Sequence, residues 1–297
     1  MGYFITITIL SCINIIAALG LAILTGYTGL FSMGHAGFMA VGGYATAVLY
    51  MHLHVPFWLA LPLGGIIAGF SSFIIGYPAF RGKLRGDYFA IATLGFAEAV
   101  RLLFNTTYKW IGGAYGFTGI PQLTSLPLAV GLAGVALVGA HYFVTSQYGK
   151  NCIAVGQDET AAQMMGVNLL RTKLTALFVS AFYAGIAGGL FGFYIAYLSP
   201  SYFNLTRSSD LLAAVVFGGM QSLIGPAIAT FLIVAVPELL RFLLNWRLVI
   251  YGLLFVVIMV FRPQGLLGYK EMNLKWLRKL LVRVARKPGA GTDGGAA

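Results

Sequence analysis

Charged residues are scarce in this chain. They make up 9% of its 297 residues, with eight acids against 19 Lys and Arg, where a water-soluble domain carries about 25%. That scarcity excludes an ordinary globular surface. Cysteine is scarcer still: Cys12 lies in an apolar run and Cys152 in a polar loop, which gives neither a disulfide framework nor a metal-ligand spacing. No GxxxxGK[ST] loop occurs, so the chain lacks the common means of binding ATP. HExxH, GxSxG and clustered Cys/His ligands are missing as well. An enzyme therefore has no constellation to stand on, and neither a metal nor a cofactor is expected.

What is present is apolar length. Hydrophobic residues are 59% of the chain and the mean hydropathy is +0.86. Continuous runs at about 4–24, 36–53, 57–80, 88–106, 127–145, 174–197, 226–243 and 247–262 are each long enough to cross roughly 30 Å of hydrocarbon as helix. The runs do not alternate, so strands are excluded. The fold class is an all-α polytopic membrane protein of about 8–10 transmembrane helices. A further stretch at 209–220 is only about 18 Å long as helix, so it is expected to be broken or re-entrant. The first run begins at Phe4 with no basic flank and is expected to be a retained span.

Orientation follows from the basic residues. Arg81, Lys83 and Arg85 crowd one loop, and Lys150, Arg171 and Lys173 another; seven of the 19 basic residues fall in Lys270 to Lys287. These three segments are placed on the cytoplasmic side by the positive-inside rule. Loops 107–126, 198–208 and 244–246, and the N-terminus, are then outside. The +11 net charge is thus directed at anionic lipid and not at nucleic acid. Residues 1–268 form the membrane domain, and 269–297 a basic cytoplasmic tail expected to be disordered at its end.

The polar loop at 148–173, YGKNCIAVGQDETAAQMMGVNLLRTK, is too long and charged to lie in lipid. Its middle predicts one short helix with Asp158 or Glu159 in the first turn, Ala161 and Ala162 as helix formers and Gly166 as the stop. Ala162, Met164 and Met165 give it a small apolar face suited to a groove on another protein.

Other candidates lie in the spans. Glu98 and Arg101, and likewise Glu238 and Arg241, stand at i and i+3, where each pair is neutralised within its own helix or by a neighbour. Such a pair could line a path for a zwitterionic solute or could be structural. Asp210 reads as the N-terminal charge of the short stretch. Between the first two spans, GYTGLFSMGHAGF at 26–38 sets Ser32, Gly34 and His35 among glycines, suited to an unwound helix lining a path; a histidine there can equally be hydrogen-bonded structure. GGAYGFTGIP at 112–121 is a glycine turn series or a cap over the external mouth. Gly185, Gly188, Gly189 and Gly192 have the small-residue spacing that lets helices approach in lipid. Two short echoes, GLFSMGHAG (29–37) with GMQSLIGPA (219–227) and AEAVRLLF (97–104) with PELLRFLL (237–244), hint at an internal pseudo-repeat.

Taken together, GLFSMGHAGFMAVGGYATA at 29–47, KLRGDYFAIATLGFAEAVRLL at 83–103 (Lys83 where Arg is usual), GGAYGFTGIP, LLAAVVFGGMQSLIGPAIAT at 211–230 and YGLLFVVIMVFRPQGLLG at 251–268 resemble the permease subunits of high-affinity branched-chain amino acid ABC importers, of the LivM type. The resemblance covers most of residues 25–268, in order. In ABC importer permeases a cytoplasmic Glu-Ala-Ala motif followed by Gly docks on the ATPase. Glu159, Ala161, Ala162 and Gly166 are similar to it, with Thr160 interrupting. The resemblance implies a LivH-like second permease, two ATP-binding cassette subunits, an extracytoplasmic solute-binding protein and a bacterial inner-membrane location. Leucine, isoleucine or valine would be the solute. Urea, amides or other amino acids in the same importer class stay open as alternatives, as do an ion-coupled secondary transporter using Glu98 and Arg101 and a membrane scaffold.

Overall fold

The computed structural model describes residues 2–84 and 86–239, together with Gly252. The expected spans 226–243 (in part) and 247–262, the Glu238 and Arg241 pair, the second members of the 97–104 echo and the basic tail lie outside the described residues.

The chain runs α1 (Gly2–Leu21, continued by a π-helical turn Ala22–Tyr27), α2 (His35–Met51), α3 (Phe57–Arg81), α4 (Asp87–Thr106), the single turn α5 (Tyr108–Ile111), α6 (Leu126–Thr145), α7 (Gln147–Gln157), α8 (Glu159–Met164), α9 (Leu169–Ile195), α10 (Leu205–Gly218) and α11 (Ile224–Leu239). It is an all-α polytopic membrane protein. Among the described residues five helices, α1 with its π turn, α3, α4, α6 and α9, are long and apolar enough to cross a bilayer. The 17-residue α2 is buried along most of its length.

The centre of the bundle is α9, which packs on α1, α2 and α3. Its glycines make this possible. A Cβ added at Gly185 would stand 2.6 Å from Ala68 Cβ and 3.0 Å from Gly65 Cα, and one added at Gly42 would run into the Gly185 backbone. Gly188 lies directly against the Met39 carbonyl of α2. Lipid tails are as apolar as leucine, so helices in a membrane are held by close van der Waals fit, and small residues give the closest fit. Around this seam Phe38, Tyr44, Phe89 and Phe193 are fully buried.

Contacts between loops fix two ends. At one, Gly26 lies against Met220, Tyr27 Oη donates to the Gln221 carbonyl (3.2 Å) and Gly29 faces Gly156 of α7. At the other, Phe117 and Leu198 exchange backbone hydrogen bonds of 2.7 and 3.1 Å, and Tyr197 Oη donates to the Tyr115 carbonyl at 2.8 Å. Gly112, Gly116 and Gly119, with φ of 78°, 76° and 83°, permit the loop that reaches Leu198. Among the described residues, the 148–173 segment thus meets the 26–29 turn at one end, and the loops 107–126 and 198–208 meet at the other.

Three expectations change. The 148–173 segment forms two helices, α7 and α8, and α9 already starts at Leu169, so Arg171 and Lys173 belong to a span. Asn168 explains the early start by accepting from the Arg171 N–H (3.1 Å). Asp210 does not begin the short helix: α10 starts at Leu205, capped by Asn204, whose Oδ1 accepts from the Arg207 N–H at 3.0 Å. The short helix is indeed broken off, since α10 stops at Gly218 and Gly219 turns with φ 109° before α11 packs back on it.

Replacing Gly185 by Val should overpack the α9 seam at a cost of about 1–3 kcal/mol. The measurement is a lowered unfolding temperature in detergent, with Gly95→Ala unchanged because nothing lies within 4 Å of that Cβ.

Candidate functional site

The inner end presents the most shaped surface. Asp158 separates α7 from α8 and caps α8, its Oδ1 accepting from the N–H groups of Thr160 (2.7 Å) and Ala161 (3.0 Å). An acid at this position also suits the positive end of the helix dipole. Gly166 closes the helix with φ 85°, its N–H bonded to Gln163 O and the Val167 N–H to Ala162 O, both at 3.0 Å. That left-handed residue favours glycine. Glu159 reaches Lys173 of α9 at 2.8 Å, and the Lys173 ammonium lies 5.9 Å from the Phe80 ring centre at the end of α3. The pair pins α8 to the bundle.

The expected apolar face is divided. Ala162 is buried against the protein, whereas Met164 and Met165 are 83% and 85% exposed. The exposed apolar part of α8 is therefore the two methionines beside the Gly166 turn. Cys152, expected in a water-exposed loop, is fully buried. The cause is α7, whose inner face packs on the π turn and on α9. Burial pushes its thiol up to about 11, the hydrogen bond with Thr28 opposing by less.

Ser32, Gly34 and His35 come together at the start of α2. Ser32 Oγ accepts from the Gly34 N–H at 3.3 Å, and Met33 N donates to Thr93 Oγ1 of α4 at 3.1 Å. His35 is fully buried, Nε2 2.7 Å from Ser180 Oγ of α9, and Nδ1 has no hydrogen-bond partner among the described residues. The echo at 219–227 is built alike: Ser222 Oγ accepts from the Gly225 N–H at 3.1 Å, just where α11 begins.

Glu98 and Arg101 are joined within α4, Arg101 Nε and Nη2 meeting Glu98 Oε2 at 2.8 and 2.7 Å. The α4 residues just before this pair, Thr93 and Ala97, pack on Gly34 and Gly37 at the start of α2. Sequence reasoning missed Arg207, whose Nη2 donates to Asn14 Oδ1 of α1 at 2.7 Å. The available signal was a polar Asn inside the most apolar run, facing an Arg in the short helix.

The sequence matches a family model described as branched-chain amino acid transport system / permease component over residues 3–261. It is 35% identical over 303 residues to the high-affinity branched-chain amino acid transport system permease protein LivM of Escherichia coli, covering 91% of this chain and 71% of that one. A probable branched-chain amino acid transport permease protein LivH of Methanocaldococcus jannaschii is 23% identical, covering 91% of this chain and 93% of its own. The ribose import permease protein RbsC of Haemophilus influenzae is 23% identical over 74% of this chain and 72% of its own. No solved structure matches.

Two measurements check the inner-end geometry. Glu159→Gln should release α8 by about 2 kcal/mol, the worth of a hydrogen bond between charged groups; amide exchange across 159–164 then speeds up, while Met165→Gln leaves it unchanged. With its thiol held near 11, only about one Cys152 in a thousand is thiolate at pH 8, so a maleimide should leave Cys152 unlabelled until the protein is unfolded.

Proposed function

We propose, since this chain belongs to the branched-chain amino acid transport system permease component family, that it carries leucine, isoleucine and valine across the bacterial cytoplasmic membrane as one of a pair of permeases. The other member is LivH-like. Two ATP-binding cassette subunits sit on the α8 side, and an extracytoplasmic binding protein delivers solute at the outer loops. The observation that carries this reading is the 35% identity to a branched-chain amino acid permease over 91% of the chain. The more distant ribose permease gives less support to another solute. Hydrolysis belongs to the partner chains, because this sequence has no ATP loop.

The residues assigned to coupling are Asp158, Glu159, Ala161, Ala162 and Gly166. Asp158 and Gly166 fix the two ends of α8, Glu159 fixes it to α9, and Ala162 seats it, so that Met164 and Met165 enter a groove on the ATPase. Movement of α8 passes to α7, whose Gly156 rests on the Tyr27 carbonyl and faces Gly29. From there it reaches Ser32, Gly34 and His35 at the start of α2. Those three residues, with the Glu98 and Arg101 pair, are assigned to the moving wall of the path. ATP binding to one conformation more tightly than to the other supplies the bias between outward- and inward-open states.

In the whole importer reconstituted in liposomes, Glu159→Lys and Gly166→Pro should each cut leucine uptake at least tenfold while ATP hydrolysis continues and the chain stays in the membrane. Proline cannot adopt the positive φ at 166. Unchanged uptake in both variants overturns the reading, and so does uptake by this chain alone under a proton or sodium gradient.

A further inference from the structure

We propose that the cavity enclosed by α1, α9, α10 and α11 is a binding site for the zwitterion of an aliphatic amino acid, with Arg207 receiving the carboxylate and Asp210 the ammonium group. The proposal rests on the transport reading above and adds to it the place where the solute pauses.

The cavity measures about 470 Å³, within the roughly 300–1,000 Å³ of small-molecule sites. Most of its wall is aliphatic, from Leu10, Ile195, Leu211, Ile233 and Val234. Into this wall α10 sets two charges of opposite sign, three residues apart and so on one face. Such a combination fits a solute that is itself one cation, one anion and a branched hydrocarbon.

Arg207 is oriented from three sides. Its backbone N–H is held by Asn204, its Nη2 donates to Asn14 Oδ1 at 2.7 Å, and its guanidinium carbon lies 5.2 Å from the Phe191 ring centre. A guanidinium has five N–H donors in a fixed fork suited to a carboxylate, and the Asn14 contact uses one. Arg207 turns that Nη2 to Asn14 of another helix, not to Asp210. The contrast with α4 is direct, since there Arg101 closes onto Glu98 at 2.7 Å. Among the described residues the two α10 charges form no salt bridge, although each acts electrostatically on the other.

Energetics also ask for a reason. Arg207 stands in the first turn of α10, where the helix dipole disfavours a cation. Leu10 comes from the first half of α1, and Ile195 is the last residue of α9, so the site lies toward the face where solute arrives.

The test uses Thr206→Cys, exposed on the cavity wall, in the whole importer; native Cys12 and Cys152 are buried. Labelling by a small methanethiosulfonate from outside is expected to slow at least fivefold with leucine, and not with leucine amide or 4-methylpentanoate, which each lack one charge. Adding Arg207→Gln or Asp210→Asn should abolish the protection while the labelling rate without solute stays the same. If the importer carries leucine but labelling is not slowed, or protection survives both substitutions, the site proposal falls and the transport reading stands. If the importer carries no aliphatic amino acid, both fall. If labelling is blocked in native lipid and freed in phosphatidylcholine, the cavity belongs to a lipid headgroup and the proposal is overturned.

Discussion

The bundle depends on backbones touching without side chains between them. Along α9, Gly185 and Gly188 bring the chain against α2 and α3 so closely that no Cβ fits. Inside a membrane no hydrophobic force favours one apolar surface over another, so this fit replaces it. The same seam sets the depth of α2: His35 meets Ser180 near the middle of α9, far from the inner ends of its neighbours. The segment from Thr28 to Gly34 must then dip inward to reach it. Its polar groups are paid for by Ser32, Thr25, Thr28 and Thr93, which bond the backbone as the ladder is broken.

Two structures at the inner end are joined through few contacts. The α8 helix is tied to α9 by Glu159 and Lys173, and α7 touches the unwound segment through Gly156 and Tyr27. The α8 rod is held at both ends and buries only Ala162, with Met164 and Met165 its most exposed apolar side chains. Cys152 and Val155 seat α7 against the bundle.

The spans among the described residues were legible because long apolar runs are set by the bilayer itself. The α8 helix was legible from Asp158 and Gly166, whose roles are local. Tertiary choices were not. Sequence offered Ala162, Met164 and Met165 as one face, yet packing took only the alanine. Lys173 reads as a loop charge until Glu159 and the Phe80 ring are seen beside it. Asp210 reads as a terminal charge because the real cap, Asn204, lies in a polar stretch that gives no start signal. Arg207 and Asn14 are 193 residues apart, a pairing that no local pattern announces.

The α10 helix has 14 residues, about 21 Å at 1.5 Å per residue, against roughly 30 Å of hydrocarbon. By itself α10 does not reach across the layer over which the transmembrane voltage is dropped. Work against that voltage scales with the net charge carried. A zwitterion, whose two charges cancel, crosses a bilayer at no electrical expense, so the direction of its travel is left to whatever drives the conformational cycle.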